Sequence, residues 1–111
     1  RGERSVVQEV EQAIQILLPS GRASVGTVAD SLGMTVRTLQ RRLDEDGEQF
    51  SELLDRVRVR EMNRHLGQRR LRLTDIADLL GYSSLSAFSN WYRGRFNEWP
   101  SEAARRLRQR A

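Results

Sequence analysis

Cysteine is absent from the chain, and so is lysine. The first absence excludes disulfides and thiolate metal centres. A single histidine, His65, cannot build a zinc site by itself. No apolar run is long enough to span a membrane. No signal-peptide pattern is read in the chain, and its first residue is Arg1 rather than methionine. It therefore reads as a piece of a longer protein. No catalytic triad, metal cluster or phosphate loop stands out, and neither an enzyme nor a cofactor is expected. No segment alternates apolar and polar residues as a strand would.

What remains is basic and helical. All 19 basic residues are arginine, against 15 acidic ones, for a net charge of +4 over 111 residues. A GC-rich genome gives the same bias, so the bias alone carries no function. Its physical consequence holds regardless: arginine presents a planar fork of donors suited to phosphate and to guanine edges. Nucleic acid is the commonest partner of a basic domain of this size. With 38% hydrophobic residues, the cores are expected to be small and divided.

Start and stop signals divide the chain into about seven helices. Ser5 and Gln8 form a capping box before a stripe of Val6, Val10, Ala13, Ile14, Leu17 and Leu18, which Pro19–Gly21 ends. Ser24 opens a short helix with Val25, Val28, Ala29 and Leu32 inward, and Gly33 stops it. Thr35 caps a helix packed through Val36, Leu39 and Leu43 that ends at Gly47. A long helix runs from about Gln49 to Leu66, with Gly67 after it and a basic connector over 68–72. Thr74 is expected to cap a short helix carrying Ile76, Ala77 and Leu80, stopped by Gly81. Ser84 caps a helix with Leu85, Phe88, Trp91, Tyr92 and Phe96 inward. Pro100 starts a last helix, where its missing amide proton is harmless.

Two stretches repeat. Residues 28–35, VADSLGMT, match residues 76–83, IADLLGYS, and the match continues, after one extra residue in the second unit, with Leu39 and Leu43 against Phe88 and Tyr92. Each is a short helix, a glycine turn and a capped second helix, which is the helix-turn-helix pattern. The small Ala29 and Ala77 let the second helix cross closely, and Gly33 and Gly81 supply positive φ at the turn. Along the long helix, Phe50, Leu53, Leu54 and Val57 centre on one face, while Val59, Met62 and Leu66 centre nearly opposite. A stripe that changes sides implies a strut shared by two subdomains. The expected division is 6–47, 49–66 and 74–110 within one DNA-binding domain of 1–111.

With these residues in place, the chain resembles the C-terminal DNA-binding domain of the AraC/XylS family of bacterial transcription regulators, from about Val6 to Arg105. The second unit carries the resemblance best, through residues 75–77, 80–84, Phe88, Ser89, Tyr92, Arg95, Phe96 and 100–102. Phe50, Leu54, Arg58 and Leu66 fit the family's linker helix. Departures are Met62 for a small residue, His65 for an aliphatic one, Asn97 for glycine, Trp99 for a hydroxyl cap, and Ala103–Ala104 for an aromatic–arginine pair. The resemblance implies an all-α fold of two homeodomain-like helix-turn-helix subdomains joined by a long helix, each second helix entering a segment of major groove. It also implies a separate effector-binding or dimerisation domain, a cytoplasmic location, and a surface that touches RNA polymerase. The domain by itself is expected to be monomeric.

The expected base-contacting residues follow from the faces opposite the apolar ones. On the first recognition helix they are Arg37, Thr38, Gln40 and Arg41, and the resemblance implies base contact at Arg37, Gln40 and Arg41. On the second they are Ser86, Ser89 and Asn90. Arginine can grip guanine O6 and N7, and asparagine or glutamine adenine N6 and N7. Phosphate contacts are expected from Arg42, Ser83, Ser84, Arg93 and Arg95. Trp91, Tyr92 and Phe96 read as core rather than as a base-stacking platform. The rival reading is a helical protein-interaction module that does not bind DNA.

Overall fold

The computed structural model describes residues 5–68 and 70–110; Arg69 of the expected connector lies outside them. The described residues form seven α-helices and one 3₁₀ turn, with no strand. The helices are α1 (Val6–Leu17), α2 (Val25–Ser31), α3 (Val36–Glu45), α4 (Phe50–His65), α5 (Leu73–Leu79), α6 (Leu85–Phe96) and α7 (Pro100–Arg110). The 3₁₀ turn, Leu18–Ser20, follows α1. None of the described helices is long and apolar enough to cross a membrane.

Local chemistry sets most boundaries. The Ser5 hydroxyl accepts from the Gln8 amide at 3.2 Å while Gln8 Oε1 accepts from the Ser5 amide at 3.1 Å. Ser24, Thr35 and Ser84 accept from the amides of Thr27, Thr38 and Ala87. Each such cap contributes about 1 kcal/mol. The start of α5 differs from expectation. Thr74 lies inside the helix, and the cap residue is Arg72, whose amide donates to Asp75 Oδ2 at 2.8 Å. A carboxylate reaching back from the first turn thus replaces the expected hydroxyl cap. Asn97 ends α6 in the left-handed conformation, with φ 58°, which asparagine tolerates.

The last helix packs despite its two alanines. Ala103 and Ala104 are buried, the Trp99 amide donates to Glu102 Oε1, and Arg106 forms a two-pronged pair with Glu98. Small side chains here let α7 approach closely, so the aromatic–arginine pair is not needed.

The expected division of the core does not hold. The buried apolar residues, from Val10 to Ala104, form one cluster. Helix α1 packs on α2, α3 and α4, while α6 packs on α5 and α7. The two groups also touch directly, because α5 packs against the 3₁₀ turn. Along α4, Leu53, Val57 and Glu61 are buried in one stripe, and Met62 and Leu66 in a second. At about 100° per residue, Met62 lies opposite Leu53, so the change of sides is present. The first stripe nevertheless runs on into Glu61, whose carboxylate accepts from Gln15 Nε2 of α1 and pairs with Arg64.

Candidate nucleic-acid interface

Helix α3 buries Leu39 and Leu43 completely and turns a polar face outward. Arg37, Gln40, Arg41 and Arg42 are exposed, and Thr38 is half-buried, its hydroxyl accepting from Thr35 Oγ1 at 3.0 Å. Arg37, Arg41 and Arg42 make no ion pair or hydrogen bond among the described residues, although Asp44 and Glu45 follow on the same helix. Several arginines elsewhere are engaged. Arg56 bridges Glu11 and Glu48, Arg60 meets Glu11, and Arg106 meets Glu98. Two of these pairs have resolved effects on titration: the Glu48 carboxylate raises Arg56, and Arg106 lowers Glu98. Other exposed arginines also lack partners among the described residues, but Arg37, Arg41 and Arg42 stand together on the second helix of a helix-turn-helix unit.

Helix α6 is different. Phe88 and Tyr92 are buried, and Trp91 and Phe96 pack partly covered in the same aromatic cluster, with Tyr92 and Phe96 centroids 4.6 Å apart. All three rings expected in the core thus pack there. Ser86 and Asn90 are exposed and Ser89 is half-buried, while Ser83 and Ser84 lie exposed at the helix start. The two arginines are occupied. Arg93 donates to Asn97 Oδ1 at 2.7 Å and stacks over Trp99 at 5.5 Å. Arg95 donates from Nε to Asp55 Oδ2 at 3.0 Å. Asp55 also accepts from Trp91 Nε1 at 3.1 Å, so one carboxylate of α4 holds α6 by two donors. Arg95 falls seven residues after Phe88, hence on the packed side of the helix.

Sequence reasoning missed Asp55, Glu61, and further exposed arginines, among them Arg22 and Arg105, that have no partner among the described residues. No local signal marked them. Arg105 lines a groove with Arg72, Thr74 and Leu85, bringing the starts of α5 and α6 beside α7. His65 is mostly covered at the end of α4, with Nδ1 unpaired among the described residues.

Comparison with known proteins agrees with this architecture. Residues 28–106 match a family model described as a helix-turn-helix domain. VirS, an HTH-type transcriptional regulator of Mycobacterium tuberculosis, is 43% identical over 86 residues, covering 78% of this chain and 25% of its own. VqsM of Pseudomonas aeruginosa, also an HTH-type transcriptional regulator, is 28% identical over 102 residues, covering 89% of this chain and 30% of its own. The chain thus spans about a quarter of the length of the relatives it matches first. Among solved structures, a DNA-binding transcriptional dual regulator from Escherichia coli K-12 superposes with a TM-score of 0.85 at 21% identity, over 98% of this chain and 97% of its own. The regulator CdpR of Pseudomonas aeruginosa gives 0.66 at 34% identity, over 74% of this chain and 26% of its own. With two repeated helix-turn-helix units and a family match across both, the chain belongs to the helix-turn-helix family as an AraC/XylS-like DNA-binding domain.

Proposed function

We propose that this chain regulates transcription by binding a specific duplex sequence through two unlike reading heads, α2–α3 within 6–47 and α5–α6 within 74–110, held by the helix of 49–66. The observation that carries the reading is the set of exposed arginines on α3 without counterions. Arg37, Gln40 and Arg41, with Thr38 beside them, supply most base discrimination, and Arg42 meets phosphate. On α6, Ser86, Ser89 and Asn90 read more weakly, with Ser83, Ser84 and Arg93 at the backbone. Arg95 acts mainly through Asp55, its Nε being committed there. Two non-identical heads need an asymmetric site and no second copy. On this reading the domain works without catalysis, in the cytoplasm, beside RNA polymerase, with an effector-binding or dimerising domain elsewhere in the parent protein.

The test compares Arg41→Ala and Asn90→Ala on matched and scrambled duplexes. Arg41→Ala should lose the larger share of discrimination, about 1–3 kcal/mol for a two-bond guanine contact. If Asn90→Ala loses more, the assignment of heads is wrong. Affinity that does not weaken between about 50 and 200 mM salt would instead favour a protein-interaction module.

A further inference from the structure

The turns of the two helix-turn-helix units have similar backbones and different surroundings. Gly33 has φ 71° and Gly81 φ 84°. A Cβ placed on Gly33 would meet nothing within 4 Å, whereas one on Gly81 would stand 2.6 Å from the Leu18 carbonyl oxygen and 3.5 Å from Gly21 Cα. Those atoms belong to the 3₁₀ turn that follows α1 and to Gly21, its C-terminal cap. The second unit's turn is therefore pressed, backbone against backbone, onto the first unit, at a distance only glycine permits.

The same turn is held from a third side. Arg58 of α4 donates from Nε to the Leu80 carbonyl at 3.2 Å, and its guanidinium lies 4.5 Å from the centre of the Tyr82 ring. Leu80 is the C-terminal cap of α5, where carbonyls lack helical partners and the helix dipole favours a cation. Leu18, Gly21, Ala23, Ser24, Arg58 and Gly81 line one small cleft at this junction. The long helix is thus not the sole connection between the units.

We propose that the Gly81 turn is a joint that sets the relative position of the two heads, and with it the number of base pairs between the segments they read. Gly81 and Arg58 are positioning residues in this role: they determine spacing specificity without touching DNA. A flexible pair of heads would tolerate several spacings, whereas a clamped pair makes the duplex bend or twist to fit any spacing but one. The inference rests on the two-head reading above.

The experiment selects duplexes from a random pool with the chain itself and with Gly81→Ala, Arg58→Met and Gly33→Ala, after circular dichroism confirms native helicity. Gly33→Ala carries a similar penalty for positive φ without the interhead contact. Affinities are then measured on the selected site and on sites with two base pairs added or removed. The unmodified chain and Gly33→Ala should select two segments at one spacing and discriminate against the altered sites by about tenfold, the order expected from duplex deformation. Gly81→Ala and Arg58→Met should keep both segments but spread or shift their spacing, with discrimination reduced to about threefold or less. If Gly81→Ala does not fold, Arg58→Met decides alone. Unchanged spacing in both variants, or a spread in Gly33→Ala as well, overturns the joint. A single segment selected by the unmodified chain overturns the two-head reading, and the joint with it.

Discussion

Replacing Asp55 by alanine should cost stability mainly through Trp91. The Asp55 carboxylate accepts from Trp91 Nε1 at 3.1 Å in a partly buried setting and from Arg95 Nε at 3.0 Å nearer the surface. A hydrogen bond to a charged group contributes about 1.5–3 kcal/mol where water is excluded. The Arg95 and Asp55 side chains are 48% and 35% exposed, so their ion pair is worth only about 0–1 kcal/mol. Asp55→Ala should therefore lose about 2 kcal/mol in urea denaturation, a drop of about 8 °C in Tm for a chain of this length. Double-mutant cycles apportion the loss: Asp55→Ala with Trp91→Phe should couple by about 1–2 kcal/mol, and with Arg95→Ala by less than about 1 kcal/mol. Coupling to Trp91 below about 0.5 kcal/mol, or stronger coupling to Arg95, would refute the argument. Arg95→Ala also separates two roles. If Arg95 acts through Asp55, its loss lowers affinity at an unchanged salt slope. If it meets phosphate, the slope falls by about 0.9.

Two further outcomes follow from particular residues. Gly94 lies inside α6 with open space where a Cβ would stand, so Gly94→Ala should raise stability by about 1 kcal/mol; a loss in thermal denaturation would mean the site is not open. The Arg72 amide holds the Asp75 carboxyl below its usual 3.8, and Arg106 holds Glu98 below 4.5. Folded values below the unfolded ones mean that these contributions are whole above the unfolded pKa and vanish as pH falls through the folded pKa. Urea midpoints should therefore fall on acidification from about pH 6 to about pH 3, and less steeply in Asp75→Asn and Glu98→Gln; an unchanged slope in both variants refutes this.

The helices were legible because their determinants are local. Ser5, Ser24, Thr35 and Ser84 cap from within one turn, and the apolar stripes of α1, α3 and α6 point to the core that forms, except for Leu85, expected inward but exposed at the first turn of α6. The start of α5 was misplaced because Thr74 offered a familiar hydroxyl while the effective group was the Asp75 carboxylate, one residue on. Arg95 has a fold partner that the sequence did not indicate. Its spacing from Phe88 put it on the packed face of α6, but its charge suggested DNA. Contacts between distant segments had no sequence signal. Nothing near Asp55, Glu61 or Arg58 names Trp91, Gln15 or Leu80 as a partner. The unified core was hidden for the same reason, since it depends on α5 meeting the 3₁₀ turn.

On α3 unpaired charge coincides with the exposed face of the second helix of a helix-turn-helix unit. Arg37 and Arg41 stand four residues apart on one side of a helix, a like-charge spacing that costs the free domain about 0.2–0.5 kcal/mol. Neither contributes a compensating contact among the described residues. On the proposed reading, phosphate and guanine edges supply the counterions and acceptors that such a face lacks. The Arg41→Ala variant used to test base reading should therefore also leave the free domain as stable as before, or more stable by a few tenths of a kcal/mol, since alanine is the better helix former. Affinity lost with stability kept would locate the function of Arg41 outside the fold. A destabilisation above about 1 kcal/mol would make Arg41 a structural residue, and the α3 face would lose its claim to the DNA.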